Sequence, residues 1–122
     1  MLRTTLKFQR IKAIVTGMVV SAVVGVSPSQ AAGLTAGELL KQMQSKDLVY
    51  YVSGMVEGFA YARFRKDTIA AGEKVESGMQ CIRDWYLNTP RIILTIEDAF
   101  RQYADHQPSV ILAALIKKEC GE

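Results

Sequence analysis

The residues that could carry out catalysis are few, and their arrangement does not favour it. His106 is the only histidine and follows Asp105. A His–Asp pair can activate a nucleophile, whereas adjacent residues of this kind in a turn can instead cap helix ends. Glu97 and Asp98 are neighbours, so on a helix they point about 100° apart, which does not suit an acid–base pair. Glu97 can instead reach Arg101, four residues on. We therefore predict that the protein is not an enzyme.

Metal, cofactor and nucleic-acid chemistry are not predicted either. One histidine and two cysteines 39 residues apart match no zinc-ligand spacing. The sequence has no phosphate-binding glycine loop, so we predict no cofactor and no metal. The net charge is +3, but four of the 15 basic residues lie in residues 1–31. The remaining residues carry 11 basic and all 12 acidic side chains, so the charge gives no reason to expect nucleic acid.

Residues 1–31 have the pattern of a secretion signal. A basic head without acidic residues precedes an apolar stretch at residues 13–26, and Ser29 and Ala31 occupy the two small-residue positions that a signal peptidase reads. A membrane anchor is the alternative, but the stretch is shorter than the roughly 20 apolar residues that span a bilayer. We predict cleavage near Ala31, no stable membrane anchor afterwards, and a periplasmic domain at residues 32–122.

Cys81 and Cys120 are the two cysteines of the chain. An even number of cysteines in a small exported domain predicts one disulfide, because exported thiols meet an oxidising compartment. In the chain-entropy model this bond contributes about 4 kcal/mol to stability. A small domain has a total stability of only about 5–10 kcal/mol. Reactive thiols are the alternative, although the Cys-x-x-Cys spacing is absent.

Apolar periodicity predicts an all-α single domain, a small bundle of about four helices closed by the disulfide. The predicted elements are helices at residues 36–44, 90–104 and 108–120, a second helix that Ser45 or Asp47 caps and that runs to residue 66, and a helical turn at residues 81–87. Thr35 with Glu38 forms a capping-box pattern, Thr89 is the predicted cap of the helix that Pro90 opens, and Pro108 opens the last helix. The residues predicted to be buried are Phe59, Ile96, Phe100, Leu112 and Leu115. Trp85 is predicted to pack against this core.

Two glycines, Gly54 and Gly58, lie one turn apart in the second predicted helix. Glycine costs a helix interior up to about 1 kcal/mol relative to alanine. Two such residues on one face indicate that another backbone passes close to them. A locally weak helix is the alternative interpretation.

Charge beside a long loop predicts a protein-binding surface. Residues 67–78 lack apolar periodicity and read as an exposed loop that follows a basic helix end at residues 63–66. The predicted contact residues are Arg63, Arg65, Glu73, Lys74 and Glu76. The competing surface carries the aromatic residues Tyr50, Tyr51, Tyr61 and Trp85. The alternative is that neither surface binds a partner. In that case the tyrosines pack with their hydroxyls at the rim of the core, and the basic residues only end a helix.

The order of motifs in the chain also resembles a known family. A glycine-bearing helix (Tyr51-Val-Ser-Gly-Met-Val-Glu-Gly58) leads through a loop to Cys81. An aromatic–x–x–His–x–Pro turn (Tyr103-Ala-Asp-His-Gln-Pro108) and a final helix (Val110-Ile-Leu-Ala-Ala-Leu115) lead to Cys120. This layout resembles the Rap/Tai-type immunity proteins, periplasmic antidotes to peptidoglycan amidases delivered by type VI secretion. The resemblance implies stoichiometric binding that blocks the cleft of an amidase effector.

A second function class remains open, that of a periplasmic stress or acid chaperone. Such proteins are also short, exported, helical and closed by a disulfide. They need a folded state that loosens as carboxylates become protonated. Aggregation of a client protein at falling pH would separate a chaperone from an antidote. The expected partner is in either case another protein, and a homodimer is a further expectation.

Overall fold

Five α-helices form the part of the chain that the structure, a computed structural model, describes: residues 33–122. The helices are α1 (Ala36–Gln42), α2 (Ser45–Ala71), α3 (Ser77–Asn88), α4 (Ile92–Gln102) and α5 (Pro108–Cys120). The described residues contain no strand, which confirms the all-α prediction and corrects the helix number from about four to five. The predicted signal peptide and its cleavage site near Ala31 lie outside the described residues.

The first helix, α1, is fixed at its N-terminus by two sets of hydrogen bonds. The predicted capping box is present: Glu38 N–H donates to Thr35 Oγ1 at 3.2 Å, and Thr35 N–H donates to Glu38 Oε2 at 2.9 Å. The N–H groups of Ala36 and Gly37 donate to the carbonyls of His106 (2.8 Å) and Ala104 (2.9 Å). The turn between α4 and α5 therefore caps α1.

The long helix α2 and the helix α3 form an antiparallel pair. Tyr86 OH lies 2.7 Å from Ser53 Oγ, and Arg83 bonds Glu57 one turn further along α2 at 2.8 Å. Residues 67–71, predicted as loop, continue α2, and Ser77 already begins α3. The prediction of a loop over residues 67–78 is therefore wrong at both ends, and the connection is only residues 72–76. The helical turn predicted at residues 81–87 is part of α3, a helix of 12 residues.

One core joins the five helices. The largest fully buried side chains are Leu39 of α1, Val52 and Val56 of α2, Ile82 of α3, Ile96 and Phe100 of α4, and Leu112 of α5. The predicted burial of Ile96, Phe100 and Leu112 is confirmed, and Trp85 packs against this core. Phe59 and Leu115 are only partly buried. Phe59 lies at the edge of the buried stripe because that stripe follows steps of four along α2, through Leu48, Val52, Val56 and Ala60.

The helix α4 starts later than its cap pattern predicts. Thr89 and Pro90 were expected to open the helix, but α4 begins at Ile92. Arg91 has a φ of 58°, in the left-handed region, which separates Pro90 from the helical residues. By contrast, Pro108 occupies the first helical position of α5 as predicted.

The disulfide joins α3 to the end of α5. Cys81 and Cys120 are bonded with a Cα–Cα distance of 5.9 Å, inside the range of about 4.4–6.8 Å that disulfides allow. The predicted bond is therefore confirmed in the structure. It closes the C-terminal helix onto the antiparallel pair of α2 and α3.

The glycines that pack closely are not the ones that the sequence pattern predicted. A Cβ atom added at Gly54 or Gly58 would meet nothing within 4 Å, so no backbone of the same chain passes close to these glycines within residues 33–122. At Gly78 a Cβ would lie 2.5 Å from Asp67 Oδ2 and 2.6 Å from Arg63 Nε. At Gly37 it would lie 3.1 Å from Ala104. None of the described helices is both long and apolar enough to cross a membrane.

Candidate functional site

Arg63, one of the predicted contact residues, lies in a corner where three helices meet. Its side chain is 17% exposed, and Nε bonds Asp67 Oδ2 at 2.8 Å. Its Nη1 donates to the carbonyl of Gly121 at 3.0 Å, with a longer contact of 3.5 Å to that of Cys120. Gly78 of α3 lies against this pair. We call Arg63, Asp67, Gly78 and the carbonyls of residues 120 and 121 the arginine corner.

The arginine corner satisfies the end of α5. The last carbonyls of a helix lack intrahelical donors and carry partial negative charge, so a guanidinium placed there is stabilising. Gly78 leaves room for the Arg63 side chain between α2 and α3 because it has no Cβ. The disulfide holds the same end of α5 to α3. Arg63 is therefore engaged in holding helices together.

Arg65 points the opposite way from Arg63. It is exposed on α2 and forms no ion pair with another described residue. Two residues along a helix correspond to a rotation of about 200°, which explains why neighbouring arginines serve different surfaces. The structure thus does not bring Arg63 and Arg65 to one surface.

Glu73, Lys74 and Glu76 lie on the five-residue connection between α2 and α3. Gly72 ends α2 with a φ of 69°, and its N–H bonds the carbonyl of Thr68. Val75 N–H donates to Thr68 Oγ1 at 3.1 Å. Lys74 Nζ bonds Glu76 Oε1 at 2.9 Å, and Glu73 is exposed. The three charged side chains are thus displayed on a short, internally bonded connection.

Two residues of the arginine corner were absent from the sequence prediction. Asp67 was placed at the start of the loop, and Gly78 at its end. Asp67 had a usable signal, because an acid four residues after Arg63 predicts an ion pair on a continuing helix. Gly78 had none, because its role depends on the approach of α3 to α2.

A second surface is formed by the side of α2 that faces away from the core. We call it the outer face; its residues are Asp47, Tyr50, Tyr51, Gly54, Gly58, Tyr61 and Arg65, all exposed. Tyr50 is 67% exposed and Tyr61 is 58% exposed. Exposed aromatic residues near arginine are typical of protein interfaces. Trp85, by contrast, is partly buried against the core and is not part of this surface.

The His106 turn supports structure and borders a groove. His106 Nδ1 and Asp105 Oδ1 are 2.8 Å apart. The pKa of the Asp105 carboxyl is held below its usual value mainly by this hydrogen bond, and to a smaller extent by a hydrogen bond from the backbone N–H of Asp105. A groove of about 470 Å³ between α4 and α5 includes Tyr103, His106 and Lys118 in its lining. No serine, threonine or cysteine lines it, so the His–Asp pair has no such nucleophile in this groove.

No group of three or more histidine, cysteine, aspartate or glutamate side chains within residues 33–122 could hold a metal ion. Every buried side-chain nitrogen or oxygen there has a hydrogen-bond partner. The chain matches no protein-family model, no curated protein and no solved structure in these comparisons.

Proposed function

We propose that this protein is an exported helical binding protein that neutralises a peptidoglycan amidase by occupying its cleft. The observation that carries the proposal is the charged connection at residues 72–76, which joins α2 to α3 next to the arginine corner. The resemblance to Rap/Tai-type immunity proteins supplies the class of target. Loops on rigid scaffolds are where binding residues concentrate.

Rigidity behind the connection supports the proposal. Gly72 caps α2, Thr68 bonds Val75, and the arginine corner and the disulfide lie beside these residues. A loop already held in one conformation loses little entropy on binding. The charged side chains at its surface can therefore contribute to affinity with a small ordering cost.

The charged side chains of the connection favour a target with a polar binding surface. Glu73 and Glu76 flank Lys74, whose ion pair with Glu76 is largely exposed. Exposed ion pairs contribute at most about 1 kcal/mol, so a partner can exchange this contact at small cost. Acidic side chains on a short, exposed connection suit a cleft that offers hydrogen-bond donors and cations.

Capture followed by an activity measurement tests the proposal. The immobilised protein is exposed to periplasmic and secreted proteins, and bound proteins are identified by mass spectrometry and tested for cleavage of purified peptidoglycan. We expect a captured amidase whose activity falls to zero at an equimolar amount of this protein. The variant with Glu73→Lys and Glu76→Lys should capture less of it. The control reverses Asp84 and Glu119, exposed residues outside the connection, to lysine and should capture a normal amount.

Two results would contradict the proposal. One is a captured amidase that remains fully active, and the other is capture that the reversal of Glu73 and Glu76 leaves unchanged. In the second case the binding class survives, but the site lies elsewhere. Circular dichroism of each variant checks that the fold is retained.

The chaperone class has one observation in its favour, at the attachment of α1. Hydrogen bonds from Thr35, first from its backbone N–H and then from its hydroxyl, hold the pKa of Glu38 below its usual value. The pKa of Asp105, in the turn that caps α1, is lowered as well. A lowered folded-state pKa gives stability that is present above the unfolded value and lost as the pH falls through the folded value. Acid should therefore weaken the attachment of α1.

Light scattering of an aggregating client at falling pH separates the two classes. A chaperone should suppress aggregation only in acid, once the pH has fallen below the ordinary pKa values of these carboxylates and the folded protein takes up their protons. Thr35→Ala should move that onset to higher pH, because the carboxylate of Glu38 loses a hydrogen-bond donor and α1 loses its cap. An antidote should suppress nothing at any pH.

A further inference from the structure

Six of the seven residues of the outer face of α2 form matching or complementary pairs about a common centre, and Tyr50 is the exception, with Ala62 at the matching position. The centre is residue 56, and matching residues lie two, five and nine positions before and after it. Counted outwards, the pairs are Gly54 with Gly58, Tyr51 with Tyr61, and Asp47 with Arg65. The pairs are two glycines, two tyrosines, and an acid with a base.

These residues also share one direction on the helix. At about 100° per residue, Asp47 and Arg65 point the same way, and the glycines lie about 20° to either side of them. The tyrosines at positions 51 and 61 lie about 40° to either side. The face is therefore symmetric in angle as well as in position along α2, while the core lies on the opposite side of the helix.

We propose that a second copy of this chain docks on the outer face, with the two α2 helices antiparallel and a two-fold axis at residue 56. A two-fold axis makes residue i of one copy contact residue j of the other, and the reverse. Asp47 of each copy then lies opposite Arg65 of the other. A parallel pair would instead place Asp47 against Asp47 and Arg65 against Arg65.

Charge on this face identifies a second copy as the occupant. Neither Asp47 nor Arg65 forms an ion pair with another residue of the described part of the chain. They are 18 positions apart, about 27 Å along the helix, and so cannot pair with each other within one chain. The antiparallel arrangement gives each of them a partner of opposite charge, twice in the dimer.

The glycines and tyrosines fit the same arrangement. Space is open at Gly54 and Gly58, where an added Cβ would meet nothing within 4 Å, so two backbones can approach closely. Tyr51 of the second copy would lie at the same position along the helix axis as residue 61 of the first copy, on the flank of α2 that carries Ala62. A shallow depression of about 270 Å³ lined by Met55, Gly58, Phe59 and Ala62 lies on that side and accepts an aromatic ring.

The dimer leaves the charged connection free. Residues 72–76 begin 16 positions beyond the centre, about 24 Å from the two-fold axis along the helix. Arg65 is then occupied by the second copy, so a partner of the connection would meet Glu73, Lys74 and Glu76. The dimer does not rest on the proposed function.

Sedimentation equilibrium over a range of protein concentrations tests the dimer, using the protein as isolated from its cell. The wild-type protein should show a reversible monomer–dimer equilibrium. Asp47→Arg and Arg65→Asp should each raise the dissociation constant about tenfold or more, because each puts like charges opposite each other twice. The double variant with both changes should return to within about threefold of the wild type, since it restores opposite charges.

Matched controls are Asp84→Arg and Lys118→Asp, exposed reversals on α3 and α5, which should leave the equilibrium unchanged. Gly58→Leu adds bulk at the centre and should abolish the dimer while the circular dichroism spectrum stays helical. Three results would overturn the proposal: a monomer at every concentration, a dimer that ignores the single reversals, or a double variant that fails to recover. If the protein is monomeric and Arg65→Asp abolishes its capture of another protein, the outer face binds that protein and not a second copy.

Discussion

The two sides of α2 use the same residue types in opposite ways. On the inner side, Arg63 is largely buried and bonded, and Gly78 of α3 lies against it. On the outer side, Arg65 is exposed and Gly54 faces open space. The inner side holds three helices together, while the outer side is unoccupied in the monomer. The role of an arginine on α2, or of a glycine on α2 or α3, is therefore set by what lies next to it.

The inner side of α2 therefore contributes to the stability of the monomer, and the outer side contributes to association in the proposed dimer. Substitutions in the arginine corner should lower the free energy of unfolding and leave the monomer–dimer equilibrium largely unchanged. Substitutions on the outer face should do the reverse. Each prediction below tests whether this separation holds.

Removal of the disulfide should have the largest effect. Replacing Cys81 and Cys120 together by serine should lower the free energy of unfolding by about 2–4 kcal/mol, because the unfolded chain regains the freedom of a 39-residue loop. Urea denaturation of the variant and of the reduced wild-type protein should give matching losses. A loss below about 1 kcal/mol would show that the core contacts of α5 and the arginine corner hold this helix in place without the disulfide.

Gly78→Ala should have the next largest effect. The added Cβ would lie 2.7 Å or less from atoms of Arg63 and Asp67, so the ion pair must shift or the helices must separate. Overpacking of this kind costs about 1–3 kcal/mol. The measurement is again urea denaturation, with the solvent-exposed Gly33→Ala as the control because nothing lies within 4 Å of that position. Equal stabilities of the two variants would contradict the close packing at Gly78.

A matched pair of arginine substitutions compares the two sides directly. Arg63→Ala should cost about 1–2 kcal/mol, because Asp67 and the carbonyl of Gly121 lose a charged donor in a largely buried site. Arg65→Ala should change the stability of the monomer by less than about 0.5 kcal/mol, as exposed substitutions usually do. Thermal unfolding at low protein concentration gives both values. A larger loss of stability for Arg65→Ala than for Arg63→Ala would mean that the outer side of α2, and not the inner side, stabilises the monomer.

Much of the fold could be predicted because its signals are local. The capping box at Thr35, the start of α5 at Pro108, and the buried positions of Ile96 and Phe100 each depend on residues within one or two turns. The disulfide was predicted from the even number of cysteines together with the predicted export of the chain. These features need no knowledge of how distant helices pack.

The arginine corner could not be predicted in the same way. Residues 67–71 form a turn of α2 that contributes Asp67 to an ion pair and adds no residue to the buried apolar stripe. Apolar periodicity therefore predicts that the helix ends before residue 67. Arg63 meets carbonyls 57 and 58 residues further along the chain. No short-range pattern indicates such contacts, so the direction of Arg63 was open until the packing was known.

The smallest expected effect is a gain in stability, at Gly54. A glycine in a helix interior costs about 0.5–1 kcal/mol relative to alanine because the unfolded chain has more freedom to lose. Nothing lies within 4 Å of an added Cβ at Gly54, so Gly54→Ala should raise the stability of the monomer by about that amount. Gly78→Ala is the same substitution on α3, at a closed position, and should lower stability.

Protein concentration makes the Gly54 result decisive. In dilute solution the variant should unfold at a higher urea concentration than the wild type. At concentrations where the wild type dimerises, the advantage should shrink, because the added methyl group keeps the two α2 backbones apart and the wild type gains stability from association. A gain that is the same at every concentration would mean that Gly54 lies outside any interface. A loss at every concentration would mean that the position is closed in the monomer, which would break the contrast between the two sides of α2.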